Sequence, residues 1–187
     1  MSASATLPAR LNDLFLLATL LGLAAVLTIA LVLQVAAGEV PCPLCLLERV
    51  AMFGICFGIV AHIRHGYSTR NIGMSLVWAL FLLIVSARQV LLDVCPRPGH
   101  DYVGDAVLGL HMPVWSVVIA IATLAAFASA LALFDGESLR AAPSSPAIAG
   151  AGRALSLYVA LLCLVNLGST ILQCGFGACH TTGYTLL

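Results

Sequence analysis

Apolar residues arrive in five long runs, separated by short stretches rich in polar residues, proline and glycine. The runs cover about Phe15–Ala37, Leu46–Ile63, Ile72–Leu92, Pro113–Phe134 and Ala154–Leu172. A helix needs about 20 apolar residues to cross the hydrocarbon core, so each run predicts a transmembrane helix. None shows the two-residue alternation of a barrel strand, and an open sheet cannot satisfy its backbone in lipid. The expected fold is an all-α integral membrane protein, a single membrane domain over residues 1–187.

Composition narrows the function classes. Hydrophobic residues make up 61% and charged residues 9%, against about 25% charged in soluble domains. The net charge of zero leaves no basic footprint, so lipid rather than nucleic acid is the expected surroundings. The first run is too long for a signal-peptide core and lacks a convincing cleavage site, which predicts that it is retained.

Every basic residue is arginine. With the N-terminus cytoplasmic, Arg10, Arg64, Arg70, Arg140 and Arg153 fall inside and Arg97 outside, while Arg49 and Arg88 lie within helices near the outer face. This obeys the positive-inside rule. The same orientation puts Cys42, Cys45, Cys95, Cys174 and Cys179 at the outer surface, where disulfides persist. It leaves Cys56 and Cys163 within the bilayer, where cysteine packs as a small hydrophobe. Residues 135–153 read as a flexible inner linker around Pro143-Ser144-Ser145-Pro146.

The chemistry centres on Pro41-Cys42-Pro43-Leu44-Cys45-Leu46-Leu47-Glu48-Arg49. Cys42 is expected at the N-cap of the second helix, Pro43 at its first position and Cys45 in its first turn. Unpaired N–H groups and the positive end of the helix dipole favour thiolate over thiol, and the thiolate is the nucleophile. Arg49 follows Cys45 by four residues and so shares its helical face. Its charge is suited to stabilising a Cys45 thiolate or to holding an electron-rich carbonyl oxygen; the alternative is snorkelling to the interface beside Glu48. Half a zinc site and a passive disulfide are the alternatives to a redox dithiol, but structural zinc wants four ligands and no second Cys-x-x-Cys exists.

The segment Cys42–Arg49 resembles the motif that opens the second helix of the disulfide bond formation protein B (DsbB) family. Ser86-Ala87-Arg88-Gln89 and Gly109-Leu110-His111-Met112-Pro113-Val114-Trp115 are similar to segments of its third and fourth helices, and the likeness covers about residues 12–134. The resemblance implies a four-helix DsbB-type bundle in a bacterial inner membrane. Such an enzyme reoxidises a periplasmic thioredoxin-like (DsbA-like) oxidase and passes the electrons to a quinone, ubiquinone or menaquinone. It implies Cys42–Cys45 as the quinone-side disulfide pair, Cys45 as the thiolate facing the quinone and Arg49 as a quinone contact. Arg88 is a weaker candidate for the border of the same pocket, as is Gln89, and Arg88 is alternatively a partner of Asp93 or Glu48. His111 and His180 are candidates for proton transfer, the alternative for each being a solvated interfacial histidine.

The chain departs from the better-known four-helix members, which carry a second cysteine pair in a long loop between helices three and four. That loop is short here and holds only Cys95. A fifth helix brings the chain back to the outer face and delivers Cys174-Gly175-Phe176-Gly177-Ala178-Cys179, which resembles a short-loop, five-helix branch of the family. Four intervening residues with two glycines can close a small ring, and a strained exposed disulfide is an oxidising one. Cys174–Cys179 is therefore expected to exchange with the partner oxidase, the alternatives being an inert staple and a metal site shared with His180. Two other readings of the whole chain are a metal-binding transporter and a transmembrane conduit for thiol reductant.

Overall fold

The computed structural model describes residues 3–94, 109–133 and 146–175. Five helices run through them: α1 (Ala3–Ala36), α2 (Pro43–His65), α3 (Thr69–Val94), α4 (Met112–Leu133) and α5 (Pro146–Cys174). All five are long and apolar enough to cross a membrane. The chain is an all-helical, multi-pass membrane protein.

Helix ends follow local chemistry. Cys42 caps α2 with its sulfur, which accepts from the Cys45 N–H at 3.1 Å, and Pro43 fills the first helical position, where a missing N–H costs nothing. Gly66, at φ +82°, stops the helix. Gly175, at φ +58°, closes α5 with its N–H on the Ile171 carbonyl at 2.8 Å. The His111 carbonyl opens α4 by accepting from the N–H groups of Val114 and Trp115.

The helices outrun the apolar runs that predict them. α1 begins at Ala3 rather than near Phe15, and α5 begins at Pro146 rather than Ala154, so part of the expected inner linker is helical. At 1.5 Å per residue the 29 residues of α5 reach about 43 Å, against about 30 Å of hydrocarbon. The apolar run marks the buried length, and the backbone keeps its helical hydrogen bonds beyond it. Residues 134–145 lie outside the described part.

α2 is the hub, in contact with α1, α3 and α5, while α3 also packs on α4 and α1 on α5. Of the apolar window of α2, 56% is buried, against 22–33% in the other four. Two glycines one turn apart bring α3 close. A Cβ on Gly54 would run into the Trp78 ring, and one on Gly58 would lie 2.7 Å from the Asn71 carbonyl oxygen. In lipid, where burial of apolar surface gives helices no reason to associate, such small-residue contacts supply dispersion instead. Ser75 of α3 adds a 3.1 Å hydrogen bond to the Ile55 carbonyl of α2.

The two mid-helix cysteines part company. Cys56 is fully buried in the core cluster with Ile55 and Ile59. Cys163 was expected to pack in the same way but is exposed on α5, because α5 leans on α1 and α2 by one narrow stripe and Cys163 lies off it.

Candidate functional site

The N-terminal turn of α2 places Cys42, Cys45, Glu48 and Arg49 at one end of the bundle. Cys42 and Cys45 are free thiols, the first buried and the second half-buried. Gln89 of α3 is buried and its side-chain N–H reaches both sulfurs, at 3.5 Å to Cys42 and 3.4 Å to Cys45. The thiol of Cys42 is held well above the ordinary thiol range. Its hydrogen bond to Cys45 is the largest cause, followed by burial and by negative charge on Cys45. Cys42 thus keeps its proton while its neighbour carries the nucleophilic character.

Arg49 is buried rather than snorkelling. Its Nη1 donates to Gln34 Oε1 of α1 at 2.6 Å and to Asn166 Oδ1 of α5 at 3.3 Å, and its Nη2 donates to the Ala30 carbonyl at 3.1 Å. Gln34 in turn donates to Ser169 Oγ of α5 at 2.5 Å. The neighbouring Glu48 faces α4, where Ser116 Oγ donates to its Oε2 at 2.8 Å. Its other oxygen, Oε1, is buried with no hydrogen-bond partner among the described residues.

A cavity of about 230 Å³ opens beside these groups. Cys45, Glu48 and Arg49, with Gln34, Glu39 and Ser116, are its polar lining, and Val26 and Ile29 of α1 with Ile119 of α4 are among its apolar walls. A thiol, a cation and a carboxyl therefore share one mostly apolar chamber, a setting for electron and proton transfer to an apolar acceptor.

The other residues singled out from the sequence fall as follows. Arg88 is exposed on α3 and does not line the cavity, although its neighbour Gln89 reaches the thiols. Cys174 ends α5, buried and disulfide-bonded. Its expected partner Cys179 lies outside the described residues, as do Cys95, Arg97 and His180. The end of α5 nonetheless reaches the first pair: Gln173, beside Cys174, donates to the carbonyl of Pro41, beside Cys42, at 2.7 Å.

Gln34, Asn166, Ser169 and Gln173 escaped the reading of the sequence. Their signal was present as lone amides and a hydroxyl in otherwise apolar helices, where an unpartnered polar group is costly. Periodicity could not say which of them face one another.

Residues 12–101 match the family model described as disulfide bond formation protein DsbB. Neither the curated proteins nor the solved structures gave a match. The matched stretch holds both thiols of the first pair, Arg49 and Gln89; it ends before Ser116, the whole of α5 and Cys174. A disulfide oxidoreductase role in a membrane follows from that family. Over residues 12–101, which contain the hub helix and its thiols, the chain is similar to the DsbB family.

Proposed function

We propose that the protein is a thiol:quinone oxidoreductase that reoxidises a periplasmic thioredoxin-like, DsbA-like oxidase in a bacterial inner membrane. The observation that carries this reading is the mostly apolar cavity that Cys45 and Arg49 share. A cavity of about 150 Å³ suffices for a benzene ring, so about 230 Å³ suits a substituted quinone ring. When bound there, a quinone supplies a two-electron, two-proton acceptor.

The chain's own groups divide the work. A thiolate of the partner attacks the disulfide held by Cys174, with Cys179 as the proposed second sulfur. The partner's second thiol resolves the mixed disulfide and leaves as a disulfide. The two thiols so formed reduce an oxidised Cys42–Cys45 pair by the same exchange. The contact between Gln173 and Pro41 supports this transfer, because it brings the end of α5 to the turn that carries Cys42. Reclosing Cys42–Cys45 then releases two electrons and two protons. Cys45 faces the acceptor, Cys42 is the resolving thiol, Arg49 holds a carbonyl oxygen, and Glu48 Oε1 is the carboxyl oxygen available for proton transfer.

The test is purified protein with a reduced thioredoxin-like oxidase, ubiquinone or menaquinone absorbance being followed over time. Wild-type protein should consume the quinone, and Cys45→Ala should abolish consumption. A Cys174→Ala/Cys179→Ala variant should still reduce quinone with a small dithiol as donor but not with the oxidase. Equal rates with the oxidase would reduce the second pair to a staple. No quinone reduction by the wild type would end the proposal.

A further inference from the structure

We infer that Asn166 and Gln173 make α5 part of the redox site: Asn166 aims Arg49 at the cavity, and Gln173 holds the Pro41–Cys42 turn. Both act as positioning residues, and both lie beyond the stretch that matches the family. The Asn166 half rests on the quinone reading above; the Gln173 half does not.

Arginine on its own is a flexible stem ending in a rigid fork. Here both hydrogens of Nη1 are committed, one to Gln34 Oε1 and one to Asn166 Oδ1, and Nη2 is tied to the Ala30 carbonyl. Acceptors on two helices therefore set the plane of the guanidinium. The Gln34 amide is itself oriented by Ser169, one turn beyond Asn166. Asn166 is buried although its neighbours Val165 and Leu167 are 50% and 55% exposed, so the one amide in that stretch is turned inward onto Arg49. Two turns further along the same face, Gln173 is completely buried and donates to Pro41. Pro41 immediately precedes the residue whose sulfur caps α2. Loosening that carbonyl frees the Cys42 cap.

A helix that merely docks through these amides would lose stability on substitution without separating the two effects. The positioning role predicts that they separate. Binding of a short-chain ubiquinone analogue, decylubiquinone, is read from quenching of Trp115, which lines the cavity. Modification of Cys42 by N-ethylmaleimide is read by mass spectrometry. Asn166→Leu should weaken binding about tenfold, the scale of one hydrogen bond to a charged group, and leave Cys42 modification unchanged. Asn166→Asp keeps the acceptor and should restore binding. Gln173→Leu should speed Cys42 modification several-fold and leave binding within about twofold. Should Asn166→Leu not fold, Ser169→Ala removes only the support of Gln34 and should weaken binding about threefold. Wild-type behaviour in both variants, or parallel losses that track melting temperature, would overturn the inference. A wild-type protein that shows no quenching would overturn the quinone site and the Asn166 half with it, leaving Gln173 to stand or fall on Cys42 modification.

Discussion

The two sides of α2 are built by opposite means. Toward α3 it presents Gly54 and Gly58, so close that a Cβ at either position would strike its neighbour. Toward α1 and α5 the contact is a polar seam, with Arg49 joined to Gln34 and Asn166, while Gln34 to Ser169 and Thr28 Oγ1 to the Tyr158 hydroxyl at 2.8 Å tie α1 to α5 beside it. The first side is mainly shape, its polar contacts being Ser75 on the Ile55 carbonyl and Gln89 on the two sulfurs. The second is chemistry with few close contacts, and the cavity lies along it. A bundle that must hold a cation beside a thiol in lipid gains by keeping the two apart: the glycine face fixes the helix, and the polar face is left to position reactive groups.

The contrast breaks most severely on the glycine side. Gly58→Leu drives a side chain into Ser75 and the Asn71 carbonyl, which is backbone and cannot rotate away. The expected loss is about 3 kcal/mol, the upper end for overpacking. It should appear as a large drop in the thermal unfolding temperature in detergent. An unchanged midpoint would mean that α2 and α3 are free to separate.

On the polar side the larger effect belongs to turnover rather than stability. Arg49→Leu removes the cation beside Cys45 but leaves Gln34 paired with Ser169. Quinone reduction should fall about a hundredfold, equivalent to about 2.7 kcal/mol of barrier, with helical content retained. Arg49→Lys should recover only part of this, since an ammonium is a point charge without the planar fork.

How far the sequence reached follows the same division. The five helices were legible because a 20-residue apolar run has few other uses, and the Cys42 cap because Cys-Pro at a helix start is local chemistry. Arg49 stood out as a charge in an apolar helix. What it touches did not, since Gln34 and Asn166 are 15 and 117 residues from it, and no spacing rule joins helices that are distant in sequence. The tight α2–α3 seam was written as Gly54-x-x-x-Gly58, a spacing that marks a face for close packing without naming the helix that fills it. Cys174 was legible as a candidate only because a fifth helix had to return to the same side.

A gentler effect tests how the two thiols share a proton. Cys42 is held above the ordinary thiol range chiefly by its hydrogen bond to Cys45. Removing that partner in Cys45→Ala lets the Cys42 pKa fall toward the usual value of about 8.5, with burial keeping it from falling fully. The thiolate fraction at a given pH then rises. Alkylation of Cys42 at pH 8 should therefore be about tenfold faster in Cys45→Ala than in wild type. A rate that is unchanged between the two would place the shift in burial alone.

The smallest effect is expected where the two sides of α2 meet, at Gln89. Its amide N–H reaches both sulfurs from α3, the scaffold side, at 3.4 and 3.5 Å, while its Oε1 is buried with no hydrogen-bond partner among the described residues. Sulfur is a weak acceptor, so Gln89→Leu should slow N-ethylmaleimide at Cys45 only about threefold. Stability should move the other way. Leucine fills a similar volume and removes an oxygen that is desolvated without compensation, so the unfolding temperature should hold or rise slightly. Gln89→Glu separates the two contributions, because an ionised carboxylate can only accept and would repel charge on Cys45. It should slow the reaction further than leucine does. A protein in which leucine costs stability and glutamate leaves Cys45 unaffected would make Gln89 a packing residue of the α2–α3 seam, and the thiols would owe nothing to that side.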